Sequence, residues 1–130
     1  MMVDARTQAI VYSVEKDVAF ASNLDTGPHN GSTLAALVRR VVANPDDGEV
    51  AGTDVAVYPP SLDRPTAFLA TPLRVDGQLE AVLVGAISFD EISAIMTRDW
   101  SEGRFGETGE MYLVGEDRRM RSDSRTLLEN

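Results

Sequence analysis

The stretch Ala67–Phe89, AFLATPLRVDGQLEAVLVGAISF, decides the fold. It holds two apolar runs separated by DGQL, and Asp76-Gly77 is a strong hairpin signal because a two-residue turn of the right twist needs positive backbone φ. The run from Glu80 to Phe89 is apolar at nearly every position instead of at alternate ones, so both faces of that strand call for cover. Two short helices cover only about one face of such a sheet. The other cover has to come from a partner chain or from an element preceding Met1.

Upstream of this hairpin, Val3–Val14 carries apolar ends around the polar DARTQ, the pattern of two short strands and a turn. ASNLDTGPHNGS is a loop by composition. Ser32 or Thr33 is placed to cap a following helix, in which Leu34, Leu37, Val38, Val41 and Val42 fall at helical spacing. That helix ends ahead of Pro45. GEVAGTDVAVY resumes an extended pattern, and PPSLDRPT interrupts it. Downstream, Asp90 is the expected cap of a second helix, EISAIMTRDW, with Ile92, Ile95 and Met96 on one face. The sum is about five antiparallel strands and two helices, an α+β domain.

The last stretch, GETGEMYLVGEDRRMRSDSR from Gly106, again reads strand, polar turn, strand. VDARTQAIVYS and YLVGEDRRMRSDS share the order apolar strand, charged turn, short strand, serine, a weak internal echo. These features divide the chain into a module over 1–103 and a terminal hairpin over 104–130 that opens a second copy.

With 130 residues, 43% of them hydrophobic, the chain is long enough for one core. A net charge of -9 argues against nucleic acid and against an anionic membrane surface as partners. No cysteine is present, which removes disulfides, thiolate metal sites and cysteine nucleophiles together. No run of apolar residues reaches the length of a membrane span.

Catalytic and metal chemistry find little support. His29 is the only histidine and sits in a Pro/Asn/Gly loop without a nucleophile-elbow motif. The adjacent carboxylates Asp46-Asp47, Asp90-Glu91 and Glu116-Asp117 point apart in a strand or diverge on a helix. GEVAG and GETGE lack the lysine and the strand-to-helix junction of a phosphate loop. The expectation is therefore no enzyme, no metal and no cofactor.

A ligand site has better candidates. Tyr58 offers an amphipathic aromatic with a hydroxyl, Arg64 a fork for a carboxylate, and Asp54 or Asp63 an acceptor for an ammonium group, together suited to an amino acid or carboxylate-like metabolite. The alternative is that Arg64 pairs with a surface acid and Tyr58 packs in the sheet. Ala67, Ala70, Thr71, Gly85, Ala86 and Ser88 are small residues on the two most apolar strands. They either leave room for a ligand, with Thr71 and Ser88 as its polar contacts, or let a helix pack closely.

PTAFLATPLRVDGQLEAVLVGAISFDEISAIMT and GETGEMYLVGEDRRMRSDSR resemble the Cache family of extracytoplasmic sensor domains, relatives of PAS domains found in transmembrane receptors such as cyclases, histidine kinases and chemoreceptors. VYSVEKDVAFASNLDTGP and LAALVRRVVA extend the resemblance over nearly the whole chain. It implies a PAS/Cache-like antiparallel sheet of five or six strands with flanking helices, a ligand pocket on one face, and a preceding long helix that covers the other. It also implies a periplasmic or extracellular sensor module of an inner-membrane receptor, tied to the membrane only by flanking segments. The Tyr/Arg/Trp/Tyr/Asp set of the amino-acid-binding members has no counterpart here, since the sole tryptophan, Trp100, comes at the end of the second helix and away from the pocket strands. The rival expectation is a structural dimerisation module, a homodimer paired through its apolar sheet face.

Overall fold

The computed structural model describes residues 1–46, 50–101, 106, 109–125 and 127. Its contacts divide into two compact units, Met1–Ala86 and Ile87–Asn130. The boundary expected at 103/104 lies outside the described residues.

The sheet consists of β1 (Met2–Asp4), β2 (Ile10–Tyr12), β3 (Ala51–Gly52), β4 (Ala56–Tyr58), β5 (Arg64–Val75) and β6 (Gln78–Ser88). The order is β2-β1-β6-β5-β3, with β4 also on β5, so among the described residues the first strand lies against the last. This is an α+β protein with a six-stranded antiparallel sheet and two helices, compatible with a PAS/Cache-like fold.

The β5–β6 hairpin forms as expected. Asp76 and Gly77 have φ of 51° and 81°, the mirror-image turn whose twist matches that of the strands it joins. β5 is longer than the sequence indicates. It begins at Arg64 and runs through Pro65, which faces Val57 of the three-residue β4 at the sheet margin, where a missing N–H is tolerated. The break is confined to a 3₁₀ turn at Pro59–Ser61 followed by Leu62 and Asp63 in the left-handed region.

Helix α1 (Thr33–Ala43) starts at Ser32, whose hydroxyl accepts from the Ala35 N–H at 3.1 Å. It ends at Asn44, ahead of Pro45. Its Leu34, Leu37, Val38 and Val41 are buried against one face of the sheet. That inner face supplies Val3, Ile10, Phe68, Ala70, Val82 and Val84, and the segment between β2 and α1 adds Ala19 and Leu24. Removing such side chains from water contributes about 1.5–3 kcal/mol for each large one.

The second unit is built on α2 (Phe89–Ser101), which follows β6 without a loop. Its cap is Ser88, not Asp90. The Ser88 hydroxyl accepts from the Glu91 N–H, and the Glu91 carboxylate accepts from the Ser88 N–H and hydroxyl at 2.9 and 3.0 Å, a reciprocal capping box. Asp90 lies inside the first turn, where the helix dipole favours its charge. The helix runs to Ser101, one residue past the expected EISAIMTRDW. The terminal hairpin narrows to a bridge between Val114 and Met120, closed by bonds from Gly115 N–H to the Arg119 carbonyl and from Arg121 N–H to the Leu113 carbonyl. It is tied to α2 by the Asp123 N–H donating to the buried Ser93 hydroxyl.

Candidate functional site

The inner face of the first unit is roofed by α1 and by the segment between β2 and α1, Ser13–Ser32, which has no helix or strand of its own. Side chains hold this segment in shape instead. Asp17 accepts from the Ala19 N–H. Asn23 accepts from the Asp25 and Thr26 N–H groups while its amide donates to the Thr7 carbonyl at 2.6 Å. Arg39 of α1 donates twice to the Asn30 carbonyl. Connections of this length without secondary structure are uncommon in compact domains and are usually lids or binding loops.

Under this roof lies Tyr58, 2% exposed, its ring meeting Phe68 edge to face at 4.9 Å between centroids. Its hydroxyl is buried and has no hydrogen-bond partner. Burial, with the nearby Asp17 carboxylate as the second cause, pushes the phenol well above its ordinary range, so it stays protonated and available as a donor. An unpartnered buried hydroxyl costs about 1–3 kcal/mol, which makes it a group in want of a ligand or water.

The outer face is different in kind. Met2 of β1 is opposite both Tyr12 of β2 and Leu83 of β6, so an apolar row crosses the sheet and continues to Leu69 of β5. With Val50, Thr71 and Gly85 these residues line a groove of about 450 Å³. Leu69 is 43% exposed, Leu83 41% and Tyr12 55%. Among the described residues of the first unit, one face of the apolar strand is covered and the other is open.

Of the residues singled out from the sequence, Tyr58 and Arg64 are set side by side as directly opposed partners of β4 and β5, while Thr71 and Ser88 lie elsewhere. Tyr58 is on the inner face; Arg64 is exposed, opposite Tyr58 in the β4–β5 ladder; Asp54 is exposed between β3 and β4, where its carboxylate accepts from the Val55 N–H at 2.7 Å. Asp63 is exposed in the left-handed turn after Pro59–Ser61. Thr71 belongs to the outer groove, and Ser88 belongs to the second unit as a helix cap. The small residues divide likewise: Ala70 is 1% exposed on the inner face, whereas Gly85 faces open space. Sequence reasoning passed over Asp17, Tyr12 and Leu83. The length of the stretch from Ser13 to Ser32 was the available signal for the first. The alternation Leu69-Ala70-Thr71, which splits neighbours between faces, was the signal for the groove.

Among the described residues no cluster of three His, Asp or Glu side chains is placed to hold a metal ion. No helix among them is long and apolar enough to cross a membrane. Compared with protein-family models, with curated proteins and with solved structures, the chain matches none.

Proposed function

We propose that the chain is a ligand-sensing input module of a membrane-bound signal-transduction receptor, displayed on the extracytoplasmic side and without catalysis of its own. The observation that carries this reading is the Tyr58 hydroxyl, buried and unpartnered beneath the Ser13–Ser32 segment. A PAS/Cache-like sheet roofed on one face by such a segment is a suitable frame for a small metabolite. In this reading the ligand enters between segment and sheet, accepts a hydrogen bond from Tyr58, and offers a donor or cation to Asp17. A small amino acid or a related metabolite meets both requirements. Its binding favours one packing of the segment on the sheet over another, and the signal has the size of the difference in ligand affinity between those two packings.

Thermal-shift and calorimetric screening of amino acids, carboxylates and purines tests the reading. A binder whose affinity falls roughly tenfold or more in Tyr58→Phe, with the fold intact, is the expected result. A panel in which nothing binds, or a binder indifferent to both Tyr58→Phe and Asp17→Asn, defeats it.

A further inference from the structure

The turn at residues 29–32, where the segment over Tyr58 meets α1, sets an asparagine directly before a glycine on exposed chain. We infer that Asn30 is a self-acting modification site, its side-chain amide converted to a carboxylate after attack by the Gly31 backbone nitrogen. The chemistry needs only this turn and water, so it does not depend on ligand sensing.

No oxidant, metal ion or cofactor enters the step. The Gly31 nitrogen gives its proton to solvent base and bonds to the side-chain carbonyl carbon of Asn30. The bond from that carbon to the amide nitrogen breaks, and the amide leaves as ammonia. Water then opens the resulting cyclic imide at one of its carbonyls. Opening at the side-chain carbonyl gives aspartate, and opening at the main-chain carbonyl gives isoaspartate, in which the chain runs on through the former side chain. Either product carries a new carboxylate.

Such an attack requires a backbone N–H without an acceptor, a side-chain amide free to turn, and no crowding at the residue that follows. Among the described residues the Gly31 N–H has no acceptor and the Asn30 side chain no hydrogen-bond partner, and both residues are exposed. A Cβ built on Gly31 meets nothing within 4 Å. The other described asparagines are blocked. The Asn23 oxygen accepts from the Asp25 and Thr26 N–H groups, its nitrogen donates to the Thr7 carbonyl, and the Leu24 N–H that follows it donates to the Gln8 carbonyl. Asn44 precedes Pro45, which has no N–H to attack with.

Position gives the reaction a consequence. The Asn30 main-chain carbonyl accepts two bonds from Arg39, at 3.1 and 3.2 Å. In isoaspartate that carbonyl becomes a carboxylate, which turns a neutral contact beneath the guanidinium fork into a charge-assisted one. In aspartate the new charge sits just ahead of Ser32, the cap of α1, at the helix end whose dipole favours it. The change runs one way, and it alters what pins the segment over Tyr58.

Prolonged incubation of the purified chain, followed by peptide mapping in a mass spectrometer and by isoaspartate methyltransferase labelling, tests the inference. An amide-to-acid mass gain at Asn30, absent at Asn23 and Asn44, is expected, and it should appear faster as pH rises because the attacking nitrogen must lose its proton. Gly31→Ala, which adds a methyl group in open space, should slow the gain several-fold with circular dichroism unchanged. Should that variant fail to fold, Asn30→Gln, whose longer side chain closes a larger and slower ring, is read in the same way. An Asn30 that stays intact, an equal rate at Asn23, or a rate indifferent to these substitutions overturns the inference. Because Tyr58→Phe leaves this turn untouched, failure of the sensing proposal and failure of this one are read in different variants.

Discussion

The two faces of the sheet in the first unit are made from the same strands, yet one is sealed and the other open. Adjacent residues part company: Phe68 and Ala70 are buried while Leu69 between them is 43% exposed. Val82 and Val84 are buried while Leu83 is not. Since successive side chains of a strand point to opposite faces, the difference between the faces comes from what lies over them, not from the strands themselves. An apolar strand therefore states that two covers are needed; it does not state that the same chain provides both.

Substitutions that separate the faces sharpen this contrast. The largest effect is expected for Phe68→Ala, which should cost about 3–5 kcal/mol in urea unfolding followed by circular dichroism, against less than about 1 kcal/mol for Leu83→Ala in the monomer. Equal losses at the two positions would break the comparison. Next comes a pair of opposite sign. Ala70→Val overpacks the sealed face and should cost about 1–3 kcal/mol, while Gly85→Val, with open space at its Cβ and an extended backbone, should stabilise the monomer by about 0.5–1 kcal/mol.

Tyr58→Phe comes third. Deleting a buried hydroxyl that has no partner should raise stability by about 1 kcal/mol, the reverse of the usual result in a core. A loss of that size would show that the hydroxyl is already satisfied in solution.

The smallest expected effect lies in the second unit and is a matter of pH. The bonds from Ser88 hold the Glu91 carboxyl below the ordinary value of 4.5. A carboxyl depressed in the folded state binds protons less readily there than in the unfolded chain, so its contribution is complete above about pH 4.5 and is lost as pH falls through the lower folded value. Helical circular dichroism should be lower in Glu91→Gln than in the parent at pH 5–6, with the parent falling towards the variant as pH drops through the lower folded value. Curves that coincide throughout would remove the carboxylate from the cap.

Much of the fold was legible because its signals are local. Asp76-Gly77, Ser32 and Pro45 each act through the backbone of a few neighbouring residues, and each acts as expected. The misplaced cap at Asp90 shows the limit. Ser88 and Asp90 are both good caps, and only the reach of Glu91 back to Ser88 decides between them. PPSLDRPT was read as an interruption of the extended pattern, but its Arg64 and Pro65 belong to β5, because the margin of a sheet accepts a residue such as Pro65 that has no N–H. The site was much less legible. Tyr58, Arg64 and Asp54 were grouped by chemical type along one hairpin, whereas burial of a hydroxyl and closeness to Asp17 are tertiary facts that no spacing encodes.

The segment from Ser13 to Ser32 is fastened at several points at once: the Asn23 amide donates to the Thr7 carbonyl, Arg39 donates two hydrogen bonds to the Asn30 carbonyl, and backbone bonds join Ser22 to Ile10 and Leu24 to Gln8. Such a latch does not loosen by degrees. Under the sensing proposal a ligand would reach Tyr58 only when these bonds open together, so its occupancy should follow slow exponential kinetics independent of ligand concentration once the opening limits the rate. A sensor that worked this way would average over brief fluctuations in its surroundings and answer only to lasting ones.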